Sequence, residues 1–433
     1  MKFPGRRKTK HYFPVSDRGR ESFVDDIVHN RKSVYVVGID QLLVDIEISV
    51  TDQFLASEGL EKGQSVVIDD EKAERIYDHF KERGEIKGEY PGGAVGNTLH
   101  NFSVLSDCPS VALGAINKVI QVGDYAFKYL CNTSSKVNLS YLQPSDRPMG
   151  RALTFVTQDA ERTFAISKGC MNSLREESLP IEVIQGAAAL LLSAYVFRDS
   201  TSPIYHSTVK AAQIAKEAGV PVVLSLGSSG LVADQKQSLI PFIKNYANVL
   251  AMNSAEAFEL NGIEDPLLSA EQLLEWVDTV LLTVGSKGLY LAGWCDEDKL
   301  RHTKDPLHTK SIQEYNKWEY SRAMKRAQCL KPHKIYTHIN PFMGGPLVIK
   351  NTNGAGDAAL AAVLHDVAAN LYHRQVVPNS PKHDTSYMTY SSLGQISKYA
   401  NRVSFEVLSQ NSPRLTKGLP EREDNLEEAY WAK

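Results

Sequence analysis

Short apolar runs alternate with segments of helical spacing over much of the middle of the chain. Runs that are apolar throughout are typical of strands buried on both faces of a parallel sheet, and helices normally connect such strands. The predicted strands span residues 189–193, 222–226, 249–252 and 280–284. The predicted helices span residues 207–218, 255–260 and 270–277. This order predicts an α/β fold with a doubly wound, mostly parallel sheet flanked by helices.

The first part of the chain combines one buried strand with two stretches of a different pattern. Residues 34–38 form an apolar run that ends at Gly38 and begins the folded core. In residues 45–90 and 138–166, apolar and polar residues alternate, which predicts half-exposed strands. We therefore expect a smaller, β-rich lid beside the large sheet.

These patterns divide the chain into a large α/β domain and the lid. The expected ranges are a basic tail at 1–30, the large domain at 31–44, 93–135 and 168–433, and the lid at 45–92 and 136–167. Residues 296–334 are polar and lack a strand pattern, so we interpret them as an insertion with a solvated face. Residues 415–433 are charged and are expected to be peripheral.

The composition is that of an ordinary globular protein and excludes several classes. The 433 residues are 42% hydrophobic and 23% charged, with a formal net charge of −3, so no strong field favours nucleic acid. No apolar run reaches the roughly 18 residues needed to cross a bilayer, and no secretory signal is evident. Five cysteines form no C-x-x-C pair, which argues against a zinc site or a disulfide framework. We expect a cytoplasmic protein that binds neither nucleic acid nor membranes.

The segment from Asn351 to Asp357, Asn-Thr-Asn-Gly-Ala-Gly-Asp, carries the clearest chemistry. Apolar residues at helical spacing follow it, so the glycines are expected to open a helix. Gly354 and Gly356 allow close approach of the backbone, and free amides at a helix start favour an anion. Asp357 beside that anion could act as a general base, a role typically worth about 10²–10⁴-fold in rate.

Two other interpretations of this segment stay open. Aspartate in the first turn of a helix is favourable without any ligand, and glycine-rich turns are common. The apolar stretch 347–349 is expected to be a strand, and Gly354-x-Gly356-x-x-Ala359 after it fits a relaxed dinucleotide fingerprint, but residues 372–377 lack the acidic residue expected about twenty positions on. The sequence contains no G-x-x-x-x-G-K-[ST] motif, so the common P-loop route to phosphate binding is excluded.

Together with three further motifs, this segment resembles the ribokinase/PfkB family of carbohydrate and nucleoside kinases, whose late signature is approximately D-T-x-G-A-G-D. The other motifs, in the family's order, are Gly92-Gly93 followed by Asn97, Asn253-Ser254-Ala255-Glu256, and Thr283-Val284-Gly285-Ser286-Lys287-Gly288. The resemblance extends over essentially the whole chain. Residues 97–98, 351–366 and 399–404 further resemble bacterial kinases of purine nucleosides.

The resemblance implies an ATP-dependent phosphotransferase with an alcohol group as acceptor. The expected reaction transfers the γ-phosphoryl group of ATP to the 5′-hydroxyl of a purine nucleoside, inosine or guanosine, in purine salvage. An adenosine or sugar kinase of the same family stays open, as does a non-catalytic nucleoside-binding regulator. The expected partners are the nucleoside and ATP with Mg²⁺, and the resemblance allows potassium activation and a homodimer.

The resemblance also assigns roles to individual residues. The expected base is Asp357, assisted by the amides of Gly354, Ala355 and Gly356. The expected substrate-binding residues are Asp45, Gly92, Gly93 and Asn97. The expected ATP-binding residues are Thr283, Gly285, Gly288 and Asn401. The residues expected to arrange Mg²⁺ indirectly, through water, are Asn253 and Glu256.

Several of these residues have plain structural alternatives. Asp40 competes with Asp45 for two vicinal ribose hydroxyls, and Asn97 could instead cap the helix that follows it. Asn253 and Glu256 have the spacing of a capping box, and the glycine pairs could simply form turns. The first aspartate of the signature is Asn351 here, which calls any cation-binding role of that charge into question.

Overall fold

The computed structural model describes residues 34–419 apart from 107, 160, 305–309, 314 and 417. The expected tail at 1–30 therefore lies outside the described residues. The strands are β1 (Val36–Ile39), β2 (Leu43–Ser49), β3 (Ser65–Ile68), β4 (Ile86–Pro91), β5 (Ser110–Leu113), β6 (Ala115–Asn117), β7 (Val137–Asn138), β8 (Gln143–Ser145), β9 (Gly150–Val156), β10 (Arg162–Ser167), β11 (Leu190–Ser193), β12 (Val222–Ser225), β13 (Val249–Asn253), β14 (Thr279–Thr283), β15 (Leu289–Asp296) and β16 (Pro332–Ile339).

The α-helices alternate with these strands along most of the chain. They are α1 (Asp52–Ser57), α2 (Asp70–Glu82), α3 (Ala94–Ser106), α4 (Tyr125–Cys131), α5 (Ile181–Gln185), α6 (Pro203–Glu217), α7 (Ser229–Tyr246), α8 (Ser254–Asn261), α9 (Pro266–Leu273), α10 (Ala355–Val376) and α11 (Leu393–Leu408). Within the described residues, no helix combines the length and apolar character that a membrane span requires.

The larger sheet contains, among the described residues, nine strands in the order β16-β15-β14-β13-β12-β11-β1-β5-β7. Its neighbours from β7 to β14 run parallel, and β15 and β16 add an antiparallel edge. Asn253 at the end of β13 lies opposite Thr283 at the end of β14. The register thus aligns the carboxyl ends of the central strands at one edge, where open α/β sheets bind their ligands.

Helices cover both faces of this sheet, and the central strands feed two separate cores. Leu190 and Leu192 of β11 pack into the core beneath α5 to α9. Leu191 between them packs into the opposite core, beneath α3, α10 and α11. Because successive strand residues point to opposite faces, a strand covered on both faces must be apolar throughout. This arrangement confirms the predicted doubly wound α/β class.

A second, smaller sheet has the order β3-β10-β9-β2-β4. Strand β2 alternates as predicted, because Val44, Ile46 and Ile48 are buried against α1, α2 and α4, whereas Leu43 and Asp45 point to the other face. That other face is open toward the carboxyl edge of the large sheet. The small sheet thus contributes one wall of a cleft.

Three segments differ from the sequence-based expectations. Strand β7, in the range given to the lid, pairs with β5 at the edge of the large sheet. In the polar stretch 296–334, the side chains of Tyr315, Ala323 and Met324 are buried rather than part of a solvated face. A few apolar residues are enough to cover the edge of a sheet. Because these residues have no regular spacing, a search for periodicity does not detect them.

The third difference concerns the apolar residues just before the glycine-rich segment. Leu347, Val348 and Ile349 belong to a loop between β16 and α10, and Leu347 is fully exposed. The dinucleotide fingerprint requires a strand immediately before its glycines. That alternative is therefore wrong for this segment.

Candidate active site

A cleft of about 830 Å³ lies between the open face of the small sheet and the carboxyl ends of the central strands of the large sheet. Its lining includes Asp45 from the small sheet, and Asn253 and Thr283 from the large one. The start of α10, from Gly354 to Asp357, closes one side. Polar groups from both sheets therefore face one enclosed space.

The glycine-rich segment opens α10, as the sequence predicts. Gly354 is the N-cap residue and has a left-handed backbone with φ of 82°. A Cβ atom there would lie 2.5 Å from Cβ of Pro413, so the position requires glycine on two grounds. The first amides of a helix have no intrahelical partner and carry the positive end of the helix dipole. Gly354, Ala355 and Gly356 all line the cleft, and this turn is suited to hold an anion.

Asp357 lies in the first turn of α10, directly beside these amides. Its Oδ2 accepts a hydrogen bond from Nδ2 of Asn97 at 3.4 Å. Burial raises the pKa of this carboxyl to about 7, although the Asn97 hydrogen bond and the charge of Arg414 lower it. The negative charges of Asp40 and Glu256 raise the pKa further. A carboxylate whose pKa lies near neutrality is well matched to accept and release a proton.

Asn97 is not a helix cap. Helix α3 begins at Ala94, and the Asn97 side chain lies between Asp357 and Arg414. Its Oδ1 accepts a hydrogen bond from Nε of Arg414 at 2.9 Å. The side chain is therefore part of a buried polar network that reaches the cleft.

Asp45 and Asp40 both line the cleft, but they differ in access. Asp45 is partly exposed on the open face of β2, whereas Asp40 is only 2% exposed in the loop after β1. Burial raises the pKa of Asp45 to about 6 and that of Asp40 to about 7, and the charge of Arg414 opposes both shifts. Asp45 is the carboxylate that a ligand in the cleft can reach more easily.

Gly92 and Gly93 let the chain pass close to these two carboxylates. A Cβ atom at Gly92 would lie 2.9 Å from Oδ2 of Asp45. Gly93 has φ of 90°, and a Cβ atom there would lie 2.6 Å from Oδ2 of Asp40. The pair is thus more than a turn, because side chains here would displace both acidic groups.

Asn253 and Glu256 form the capping box of α8. Asn253 Oδ1 accepts from the Glu256 N–H at 2.9 Å, and the two Glu256 oxygens accept from the backbone and side-chain nitrogens of Asn253. Both residues line the cleft. A carboxylate offers about four acceptor positions, so each oxygen of Glu256 keeps a lone pair for water. The structural alternative is correct, and it leaves room for an indirect role at a cation.

Of the four residues expected to bind ATP, two line the cleft and two do not. Thr283 and Gly285 line the cleft. Gly288 instead allows the approach of a neighbouring strand, because a Cβ atom there would lie 1.9 Å from the Ile339 carbonyl oxygen. Asn401 is buried in α11, where its Nδ2 donates to the Asn340 carbonyl at 2.6 Å. Both positions support the loop that leads from β16 to α10.

Sequence reasoning missed the residues that follow α11. Pro413 contacts Gly354, Arg414 contacts Asn97, and Leu415, expected to be peripheral, is 3% exposed. No periodicity marks this segment. The only signal was a lone arginine within a polar stretch, which is common on protein surfaces.

The start of α10 is suited to an anion and has a carboxylate beside it, in a cleft at the carboxyl edge of a doubly wound sheet. These are the groups that transfer of a phosphoryl group to a hydroxyl requires. The chain belongs to the pfkB family, since the family model described as pfkB family carbohydrate kinase matches residues 67–308. This assignment confirms the family that the four motifs predicted.

Among curated proteins, the chain is similar to guanosine-inosine kinase of Escherichia coli (strain K12), with 51% identity over 432 residues and 100% of both chains covered. It is also similar to ribokinase of Haemophilus influenzae, with 27% identity over 154 residues, which cover 34% of this chain and 46% of that one.

Solved structures share the fold at lower identity. Adenosine kinase from Sinorhizobium meliloti aligns with a TM-score of 0.63 at 19% identity, covering 89% of this chain and 97% of the other. A probable sugar kinase from Rhizobium etli CFN 42 aligns with a TM-score of 0.64 at 18% identity, covering 91% and 98%. The large sheet with a smaller separate sheet is thus the ribokinase-like architecture.

Proposed function

We propose that this protein is an ATP-dependent purine nucleoside kinase that phosphorylates the 5′-hydroxyl of inosine and guanosine. The observation that carries the proposal is the position of Asp357, which lies beside the free amides of the α10 start and faces a cleft that also contains Asp45. The full-length similarity to guanosine-inosine kinase supports inosine and guanosine as acceptors. This activity belongs to purine salvage.

Asp357 is the proposed base. Phosphoryl transfer needs an oriented hydroxyl nucleophile and stabilisation of charge on the transferring group. Because burial raises the pKa of Asp357 to about 7, its carboxylate can take the proton of the 5′-hydroxyl near neutral pH. The amides of Gly354, Ala355 and Gly356 would hold the transferring phosphoryl group, with the helix dipole adding to the attraction.

Asp45 is the proposed anchor for the ribose. A carboxylate has two oxygens, and the two vicinal hydroxyls of a ribose supply two donors. Asp45 and Asp357 line the same cleft, from the small sheet and from the start of α10. We propose that a nucleoside anchored at Asp45 directs its 5′-hydroxyl toward Asp357. Gly93 and Asn97 line the cleft and Gly92 lies beside Asp45, so all three are proposed to border the nucleoside. Thr283 and Gly285 are proposed to border the nucleotide.

Asn253 and Glu256 fit an indirect role at magnesium. The capping box uses one hydrogen bond on each Glu256 oxygen, so both oxygens can still accept from water. Mg²⁺ characteristically retains several waters and takes few carboxylate ligands. Bound with ATP, Mg²⁺ would neutralise charge on the phosphate oxygens during transfer. We further propose a cytoplasmic location, where ATP is available, while potassium activation and a homodimer stay predictions from the sequence.

Initial rates of ADP formation with ATP and Mg²⁺, measured with inosine, guanosine, adenosine and ribose in turn, test the proposal. We expect turnover with inosine and guanosine. Turnover with adenosine or ribose, but not with inosine or guanosine, would indicate an adenosine or sugar kinase of the same family. Binding of nucleosides without any turnover would indicate a regulator.

The same assay tests the ribose anchor. With 2′- and 3′-deoxynucleosides, the wild-type enzyme should show a raised KM, and Asp45→Ala should lose this preference for the full diol. Asp40→Asn serves as the comparison. If Asp45→Ala kept the preference and Asp40→Asn lost it, the anchor would be Asp40.

A further inference from the structure

The chain returns to the cleft after α11 and is bound along α3 by buried hydrogen bonds. Pro413, Arg414 and Leu415 are here called the carboxyl-terminal clasp. His100 Nε2 donates to the Leu415 carbonyl at 2.9 Å, because its Nδ1 accepts from a backbone N–H. Asn101 accepts from the Leu415 N–H at 2.8 Å and donates to the Pro413 carbonyl at 3.2 Å. The clasp is therefore an integrated part of the core.

The clasp forms one wall of the anion-binding turn. Pro413 lies so close to Gly354 that the turn has no space for a side chain at that position. Just before the clasp, the Asn411 carbonyl accepts a hydrogen bond from Nδ2 of Asn351 at 2.8 Å. Asn351 Oδ1 accepts from the Asn353 N–H at 2.9 Å. Asparagine at this position of the signature therefore has a function that a carboxylate, which has no donor, could not perform.

Arg414 connects the clasp to the proposed base through one intervening side chain. Its Nε donates to Asn97 Oδ1 at 2.9 Å, and its Nη1 donates to Thr133 Oγ1 at 2.6 Å. A guanidinium has donors and no acceptor, so it contacts the oxygen of the Asn97 amide and leaves the nitrogen to face Asp357. The Tyr129 ring lies 4.6 Å from the guanidinium carbon and holds it from one side.

The positive charge of Arg414 lies among the acidic groups of the cleft. It lowers the pKa of Asp40, Asp45 and Asp357. Arg414 is 2% exposed, and a buried cation is costly unless its charge and donors are matched. The charges of the three aspartates offset that of Arg414, while Asn97 and Thr133 accept from two of its nitrogens.

We propose that Arg414 is a positioning residue for phosphoryl transfer, which orients the Asn97 amide so that its nitrogen holds the Asp357 carboxylate toward the acceptor hydroxyl. The inference rests on the proposed function. Among the described residues, Asn97 and Arg414 face Asp357 on one side, and Asp40, Glu256 and the Tyr195 hydroxyl on the others. Arg198 also lines the cleft, against the Tyr195 ring. Because Arg414 is the cation that lowers the pKa of Asp357, its removal shifts the balance toward a protonated base.

Two substitutions separate the geometry of Arg414 from its charge. Arg414→Lys keeps the positive charge and loses the branched guanidinium group. We expect kcat to fall by up to about 10²-fold, the loss that a misplaced reacting group can cause. The acid limb of the profile of kcat against pH should stay in place. Arg414→Gln loses the charge, so the acid limb should also move to higher pH. KM for inosine should change little in Arg414→Lys, which keeps the charge that also lowers the pKa of Asp45.

A double-mutant cycle tests whether Arg414 acts through Asn97. In an Asn97→Ala background, Arg414→Lys should reduce kcat little further, since the amide that it orients is absent. Arg151, another buried arginine, supplies the matched control, because it lies in β9 of the small sheet and pairs with Glu74 of α2. Arg151→Gln should lower the melting temperature and leave the acid limb unchanged.

Each result has a defined meaning. Circular dichroism shows whether each variant folds. If Arg414→Gln does not fold, Arg414→Lys and the double-mutant cycle decide whether Arg414 positions Asn97. Wild-type kcat in the Arg414 variants, multiplicative losses in the cycle, or an equal shift of the acid limb in Arg151→Gln would each overturn the positioning role. Absence of kinase activity in the wild-type protein would instead overturn the proposed function.

Discussion

The first turn of α10 and the carboxyl-terminal clasp meet at Gly354 and Pro413, but the turn depends on local sequence and the clasp on tertiary contacts. The turn contains its chemistry locally, because free amides, glycines and Asp357 are neighbours in sequence. The clasp has a role only through tertiary contacts, and Arg414 meets Asn97 across 317 positions of the chain. The comparison separates the groups that are proposed to perform the reaction from the groups that hold them.

This division predicts graded consequences. A change in the turn removes a group that is proposed to touch the substrate, whereas a change in the clasp loosens a group that remains present. Effects should therefore be largest on turnover at Asp357, mixed at the contact between the two regions, and smallest at the hydrogen bonds that hold the clasp.

Asp357→Asn should cause the largest loss. We expect kcat to fall about 10²–10⁴-fold, the usual contribution of a general base, with the fold retained. In the wild-type enzyme, kcat/KM should decline as the pH falls through about 7, because burial raises the pKa of the base to that value. Stopped assays between pH 5 and 9 measure both effects. A near-normal kcat in this variant would contradict the assignment of the base.

Asp366 provides the control in the same helix. It is buried away from the cleft and accepts the backbone N–H groups of Tyr390 and Ser391. Asp366→Asn should lower the free energy of unfolding and leave kcat near the wild-type value.

The raised pKa of Asp357 means that its contribution to stability is present at low pH and lost as the pH rises through about 7. Asp357→Asn should therefore be more stable than wild type at pH 8.

Gly354→Ala tests the contact between the turn and the clasp. Alanine in the left-handed region costs about 1–2 kcal/mol, and the new Cβ would also overlap Pro413. We expect a loss of stability beyond that strain, together with a reduced kcat, because the helix start must shift. Urea unfolding and steady-state kinetics measure the two effects.

Gly262→Ala is the matched control for strain alone. Gly262 has φ of 76°, and a Cβ atom added there would meet no other described atom within 4 Å. This variant should lose about 1–2 kcal/mol of stability and retain kcat. Adding Pro413→Gly to Gly354→Ala should restore part of the loss. Equal losses of stability in Gly354→Ala and Gly262→Ala would show that contact with the clasp does not limit the space at Gly354.

The large sheet was readily predicted from the sequence because burial on both faces requires apolar runs. The predicted strand at 280–284 is observed at Thr279–Thr283, and the one at 249–252 at Val249–Asn253. The segments that were misassigned, such as 347–349 and the buried parts of 296–334, have no periodicity. Their exposure depends on which neighbour covers them, which local sequence does not specify.

The candidate site divides in the same way. Spacing and family resemblance selected Asp357, Asp45 and Asn97, and the structure brings these residues to one cleft or its wall. Spacing did not select Arg414 or Pro413, because their partners are far away in sequence. Asn351 appeared as a departure from the signature, and its donor role became visible only with the Asn411 carbonyl in place.

Asn351→Asp, which restores the family's residue, should have the smallest effect. The carboxylate has the same shape but cannot donate to the Asn411 carbonyl, and the loss of a partly exposed hydrogen bond costs about 1 kcal/mol. We expect a slightly lower urea midpoint and a severalfold lower kcat, because the clasp loosens while every reacting group remains. Asn411→Ala keeps the backbone carbonyl and should match the wild type in both measurements. If Asn351→Asp were as stable and as active as the wild type, the amide would not hold the clasp, and the clasp would depend on the contacts of α3 alone.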